Sequence, residues 1–358
     1  MLIAPERLYP ARAGAPTRRG IDVRSPSEVA RGAIPGAPTL PILEDDERHA
    51  VGLRYAEEGQ AAATREGELR TRDDMARRAA AWRAAASERP SAFFCWRGGL
   101  RSELAQRLAG DPATPRIEGG YKALRAHLVG SLPGSLARRV PLVVSGSTGC
   151  GKTELLATAA ELPTILALDL EGAAEHRGSA FGATGPQPAQ ATFEHRLAIP
   201  LLLGCEPWLL LENESRNVGR VHLPAPLYEV VACAPRIVLE ASLDERLRRI
   251  HRDYADVPAR RRGVEPVLAE LQEAVRRLRR RLGAEATERM IEVLSEVRRQ
   301  GAWHDPEAFR PVIEPLLRDY YDPAYRKATP EQGRPVLARG DREELLEWLT
   351  TLAAGSPA

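Results

Sequence analysis

Residues 146–153 read GSTGCGKT, which satisfies G-x-x-x-x-G-K-[ST]. The apolar residues Leu142, Val143 and Val144 run into this segment, and a helical pattern leaves it. That context constrains the chain severely. A strand has to end in a glycine turn and a helix has to begin there, and such a unit buries both its faces in a doubly wound, mostly parallel sheet. The glycines let successive backbone N–H groups converge on phosphate oxygens. The helix N-terminus adds partial positive charge. Lys152 brings a point charge, and the Thr153 hydroxyl is a ligand type for Mg²⁺. Gly146, Ser147, Thr148, Gly149, Cys150, Gly151, Lys152 and Thr153 together form a candidate pyrophosphate-binding loop. Its preference is for a di- or triphosphate, and no adenine reader accompanies it.

Further strand candidates follow at TILALDLEG (from Thr164), PWLLLENES (from Pro207) and PRIVLEA (from Pro235), with helical segments between them. Asp169 and Glu171 end the first, and Glu212 sits in the second. Either place suits an acidic residue that orients Mg²⁺ or a water, or an ordinary polar strand end. The last third reads as helical. Leu268, Leu271, Val275, Leu278 and Leu282 alternate three- and four-residue steps, which gives one apolar helix face. Two arginine clusters, at 260–262 and 276–281, suit either contact with phosphates or a solvated helix face.

A chain of 358 residues is expected to form two domains. Hydrophobic residues make up 43% and charged residues 28%, which excludes a disordered chain. The N-terminal segment MLIAPERLYPARAG lacks a signal-peptide core, and LAIPLLLG (from Leu197) is far too short to span a bilayer. A cytoplasmic protein with no membrane attachment is expected. The expected boundaries are a first α/β domain over 1–130, a Gly/Ser/Pro-rich linker over 131–139, and a phosphate-loop domain with a helical C-terminal region over 140–358. Cysteines stand at 95, 150, 205 and 233, with no Cys-x-x-Cys pair, so neither a disulfide framework nor a structural metal site is expected.

The first domain carries the other chemical feature, SAFFCWRGGLRSE, beginning at Ser91. A short strand ends at Cys95, and a helix is expected from about Ser102. The backbone between them can curl around the sulfur, and Gly98 and Gly99 make that curl sterically cheap. A helix N-terminus together with Arg97 and Arg101 favours thiolate over thiol. The same cradle suits a persulfide, a perselenide or a phosphate-bearing reagent. The plain alternative is a buried core cysteine, which needs neither the glycines nor the arginines.

The segments IDVRSPSE, GAIPGAPTLP and CWRGGLRS together resemble a rhodanese domain. With DLEGAAEHRGSAFG, LENESRNVGRVHLP and YYDPAY, nearly the whole chain resembles the tRNA 2-selenouridine synthase family. Its alanine and arginine enrichment is unusual, but no motif residue is missing. The resemblance implies a transferase acting on the wobble uridine of tRNA. That enzyme replaces the sulfur of 2-thiouridine by selenium from selenophosphate, through S-geranylation with geranyl diphosphate. It makes Cys95 the essential rhodanese cysteine and gives the phosphate loop the pyrophosphate of the prenyl donor, with Mg²⁺ as a candidate metal and a selenophosphate-supplying enzyme as a candidate partner. His176, Arg177, Ser179, Phe181 and Arg216 are candidate tRNA contacts. Tyr320, Tyr321 and Tyr325 suit base stacking or capping of a core. Whether Cys95 carries selenium or only positions selenophosphate stays open. So do an ATP-dependent sulfurtransferase using a Cys95 persulfide and a non-catalytic, nucleotide-gated tRNA-binding module.

Overall fold

The computed structural model describes residues 1–11, 18–176, 186–328 and 333–355, the side chains of 326–328 excepted. The chain divides into two compact units. One comprises Met1–Ala137 together with Pro188–Cys205, the other Arg138–Gln187 together with Glu206–Ala358.

In the first unit, β1 (Leu2–Ile3), β2 (Arg19–Asp22), β3 (Ser91–Phe94) and β4 (Arg116–Ile117) form a parallel sheet in the order β1-β4-β3-β2. Every residue of β3 is buried, as expected for a strand covered on both faces. Trp82 fills the core from the helix Met75–Glu88, and its indole N–H donates to the Leu40 carbonyl at 2.9 Å. That helix is a polar, Ala-rich stretch of the sequence. Two helices before it, Asp45–Glu58 and Gln60–Thr71, were not expected. Neither has a strong apolar face; the first buries no residue at all, so its sequence carries little periodic signal.

In the second unit, β5 (Val140–Ser145), β6 (Ile165–Leu168), β7 (Trp208–Glu212), β10 (Arg236–Leu239) and β11 (Val336–Gly340) form a five-stranded parallel sheet in the order β11-β10-β5-β7-β6. A small antiparallel hairpin, β8 (Asn217–Val218) and β9 (Val221–His222), lies in the loop after β7. The central strand β5 and its neighbour β7 are apolar and buried, with Leu142, Val144 and Leu210 each at most 1% exposed. The apolar stripe at 268–282 belongs to two helices, not one. Val264–Arg277 ends at Leu278, and Arg279–Leu282 stops before Gly283 at φ +86°. They pack with Ala284–Arg299 around Val275, Leu278, Met290 and Leu294.

The division differs from contiguous domains in two places. The stretch 131–139 contains a helical turn, Leu132–Leu136, which buries Leu132, Ser135 and Leu136. The helix Gln190–Leu203 lies between β6 and β7 in sequence but belongs to the first unit. It packs on the helices Gly120–Gly130 and Leu132–Leu136. Thr192 Oγ1 accepts the Ala33 N–H at 2.9 Å. His195 Nδ1–H donates to the Ala33 carbonyl at 2.8 Å, since a carbonyl can only accept. Burial holds His195 down at about 4, so it is neutral at physiological pH.

Candidate functional sites

The phosphate loop leaves β5 at the centre of its sheet and enters the helix Lys152–Ala159 through Gly151, at φ +98°. On one side of β5 the sheet runs to β7, on the other to β10, so the loop sits at the carboxyl edge where an open α/β sheet forms its crevice. The register pairs Val144 with Glu212, which sets Glu212 beside the loop. Thr153 Oγ1 donates to Glu212 Oε1 at 3.0 Å, and the other Glu212 oxygen accepts the Glu171 N–H at 3.2 Å. Glu212 is fully buried. Burial first, then the carboxylates of Glu171, Asp169 and Glu214, push its pKa well above the usual carboxylate range. Burial and Glu171 also raise Glu214, against the pull of Lys152.

Lys152 Nζ donates to the Gly146 carbonyl at 3.0 Å and lies 5.6 Å from the Tyr325 ring centroid. Burial works against its charge, but the acidic groups around it, among them Cys150, Tyr325, Glu214 and Glu171, outweigh that and keep it an ammonium. Asp169 caps the short helix Leu170–Ala173 by accepting the Gly172 N–H at 2.7 Å.

The YYDPAY segment fastens this loop at two points. Tyr325 Oη accepts the Gly146 N–H at 2.8 Å. Asp322 takes both terminal nitrogens of Arg246, at 2.6 and 3.1 Å, and Arg246 Nε donates to the Thr148 carbonyl at 2.8 Å. Sequence reasoning assigned these tyrosines to base stacking or core capping, and it overlooked Asp322 and Arg246. Tyr325 touches the loop itself, whereas Tyr320 and Tyr321 stack edge to face at 4.8 Å. All three line one cleft of about 820 Å³ with Lys152, Thr153, Asp169, Glu171 and His176. Asn213, Glu214, Arg249 and Arg252 also line it and were not anticipated. Arg249 and Arg252 bind the Glu154 carboxylate at 3.3 and 2.5 Å.

His176 has a lowered pKa from burial, which Glu171 partly opposes, and its Nδ1 has no hydrogen-bond partner among the described residues. Arg177, Ser179 and Phe181 lie outside the described residues. Arg216 is exposed ahead of the β8–β9 hairpin and is not part of the cleft lining. In the two arginine clusters, several members are spent on internal pairs, such as Arg262 with Glu270 at 2.6 Å and Arg279 with Glu288 at 3.1 Å.

In the first unit, Cys95 follows β3 and its helix begins at Leu100, two residues earlier than expected. Its thiol is 3.5 Å from Ser102 Oγ and 4.0 Å from the Gly99 carbonyl. The loop packs against the turn after β4. The Tyr121 N–H donates to the Cys95 carbonyl at 2.8 Å, and the Lys122 N–H to that of Trp96 at 3.1 Å. Gly98, at φ +69°, has no room for a Cβ, which would lie 2.5 Å from the Ile117 carbonyl oxygen. Gly120, at φ +59°, is equally required, because its Cβ would lie 2.3 Å from the Cys95 carbonyl oxygen. Gly99 faces open space. Sequence reasoning named Gly98 and Gly99 and missed Gly120, whose reason is a contact across the chain.

Arg101 is held by Glu28 through two hydrogen bonds of 2.5 and 3.0 Å. Burial alone would raise the Glu28 pKa, but Arg101 outweighs it and keeps that group ionised. Much of the Arg101 charge is therefore answered by Glu28, while Arg97 is exposed. Arg24 and Asp22 form a fully buried, forked ion pair behind the loop, with the Arg24 guanidinium 3.7 Å from the Tyr121 ring centroid. Cys95, Trp96, Arg97, Gly99 and Arg101 border a largely apolar cavity of about 1080 Å³ under the helices Asp45–Glu58 and Gln60–Thr71.

A strand, a GSTGCGKT turn and a helix at the centre of a parallel sheet, with a buried carboxylate on the next strand, define a P-loop α/β protein. Within that class, residues 139–355 match the family described as tRNA 2-selenouridine synthase AAA domain. Over 94% of its length the chain is 40% identical to the tRNA 2-selenouridine synthase of Chromohalobacter salexigens, of which it covers 95%. The tRNA 2-selenouridine synthase of Cupriavidus pinatubonensis is likewise 40% identical, over 93% of this chain and 95% of that one. That of Pseudomonas aeruginosa is 37% identical, over 94% and 95%. The chain belongs to the tRNA 2-selenouridine synthase family.

Proposed function

We propose that this protein is a transferase that converts 2-thiouridine at the tRNA wobble position into 2-selenouridine in two steps, and that each unit serves one of them. The observation that carries the reading is the pairing, on one chain, of a P-loop with an anchored lysine and a loop-borne thiol beside an apolar cavity. In the first step the 2-thio sulfur attacks C1 of geranyl diphosphate. A C–S bond forms, the C–O bond to the diphosphate breaks, and the base loses its N3 proton. Pyrophosphate needs stabilisation as it leaves. Lys152 and the loop N–H groups supply it, with no nucleotide required.

Thr153 Oγ1 and Glu212 are hard oxygen donors, the type that Mg²⁺ takes in small number alongside substrate phosphates. They would hold that ion, which when bound offsets charge on the leaving group. Glu212 then has to give up its proton, and the neighbouring carboxylates make that loss costly without the ion.

In the second step selenium of selenophosphate attacks C2 of the geranylated base, and geranylthiol leaves with a proton. Water then takes the phosphoryl group as phosphate. The first unit is proposed to be rhodanese-like, with Cys95 handling the selenium donor and Gly98 and Gly120 shaping its loop. tRNA is the macromolecular substrate, and a selenophosphate-supplying enzyme is the expected partner. A cytoplasmic location fits this role; among the described residues no helix is long and apolar enough to cross a membrane.

Mass spectrometry of tRNA nucleosides after incubation with geranyl diphosphate, then selenophosphate, tests the assignment. Lys152→Ala is expected to stop geranylation. Cys95→Ser is expected to accumulate the S-geranyl nucleoside and form no 2-selenouridine. Equal loss of both steps in both variants would refute the division of labour.

A further inference from the structure

We infer that the helical region beside the P-loop holds a slot for the far isoprene unit of the prenyl diphosphate, so that the protein selects its donor by chain length. The inference rests on the reading of the P-loop as a prenyl pyrophosphate site. A second, almost wholly apolar cavity lies among the helices that follow β10. Thr148, Ile250, Tyr254 and Tyr321 line both this cavity and the phosphate cleft, so the two adjoin at the loop. Beyond those residues the walls are Val312, Ile313, Leu316 and Leu317, with Phe309 among them.

Nothing in those walls asks for water. The His251 ring nitrogen Nε2 is already engaged with the Trp303 carbonyl at 2.9 Å. An empty cavity of apolar lining stays dry and accepts apolar guests. Its volume is about 60 Å³. At ~10–15 Å³ as the least space that holds a water-sized probe, that is room for a small apolar group, such as the end of a prenyl chain. The first isoprene unit would then lie in the cleft against Ile250, Tyr254 and Tyr321.

The backbone gives independent support. Both walls carry a π-helical turn, Arg252–Asp256 on one side and Leu316–Tyr321 on the other. Such turns are rare and concentrate at functional sites. Here each one contributes side chains to the slot: Tyr254 and Ala255 from the first, Leu316, Leu317 and Tyr321 from the second.

Calorimetric titration of the full-length protein with inorganic pyrophosphate, dimethylallyl, geranyl and farnesyl diphosphate tests this. Geranyl diphosphate is expected to bind at least tenfold more tightly than the dimethylallyl compound. Failure of pyrophosphate itself to bind would strike the P-loop reading. Pyrophosphate binding with all three prenyl compounds within threefold of it would overturn the slot alone. Val312→Phe should fill the slot, drop geranyl diphosphate to the dimethylallyl level and leave pyrophosphate unchanged; unchanged geranyl affinity overturns the inference. Should that variant lose its cooperative melt, Phe309→Leu replaces it. The larger slot should raise the affinity for farnesyl relative to geranyl diphosphate at least threefold, and an unchanged ratio overturns the inference.

Discussion

Glu212 shows how a single residue ties the sheet to the site. Strand register brings its carboxyl beside Thr153, and burial among other acids makes ionisation unfavourable. The consequence for stability has a definite sign. A carboxyl whose pKa is higher folded than unfolded binds more protons in the native state between those two values. Stability therefore falls as pH rises through that window. Its contribution is fully present below the ordinary carboxylate range and is lost towards neutral pH and above. Glu212→Gln, which cannot titrate, is expected to flatten this dependence. Without divalent ions, its thermal midpoint should gain on wild type as pH goes from 5 to 8. Parallel midpoints at both pH values would mean that Glu212 is not held protonated. At the same scale, Gly120→Ala forces a Cβ against the Cys95 carbonyl in a left-handed conformation. That conformation alone costs about 1–3 kcal/mol, and urea unfolding should show at least this loss. Gly99→Ala should stay within about 1 kcal/mol, because its Cβ meets open space.

Elements differ in how openly the sequence announces them. β5, β6, β7 and β10 were legible because a strand buried on both faces is an unbroken apolar run. The phosphate loop was legible because its chemistry demands residues at fixed spacing. β11 was not legible. It is an edge strand, VLARG, with Val336 and Leu337 exposed, so no burial pattern marks it. The helices Asp45–Glu58 and Gln60–Thr71 escaped for the same reason, and with them the apolar cavity beside Cys95. Contacts between distant segments were also out of reach. Glu28 holding Arg101 and Asp322 holding Arg246 depend on which helices meet, and local pattern does not say so. Asp322 belongs to the element that braces the phosphate loop. Asp322→Asn weakens its grip on Arg246 and so loosens the brace that Arg246 gives the Thr148 carbonyl. We expect a three- to tenfold rise in the dissociation constant for pyrophosphate, read by calorimetry, with little change in the melt of the first unit.

At the scale of the whole molecule, the first unit is discontinuous in sequence. Its helix Gln190–Leu203 buries Phe193, Leu197, Leu201 and Leu202. At about 1.5–3 kcal/mol per large apolar side chain, that is on the order of 6–12 kcal/mol of gross burial, comparable with the whole stability of an ordinary domain. Residues 1–137 alone are expected to lack a cooperative thermal transition. The same residues joined to 188–205 by a short Gly/Ser linker are expected to regain one by circular dichroism. A cooperative melt of 1–137 by itself would show that the helix is dispensable.

The same helix also sets a schedule during synthesis. The ribosome completes the thiol-bearing unit only after it has made β5, the phosphate loop and β6. At about 5–20 residues per second, the nascent chain waits several seconds with an open apolar face. Throughout that interval Cys95 belongs to an unfinished fold, which closes only once the helix Gln190–Leu203 has been made.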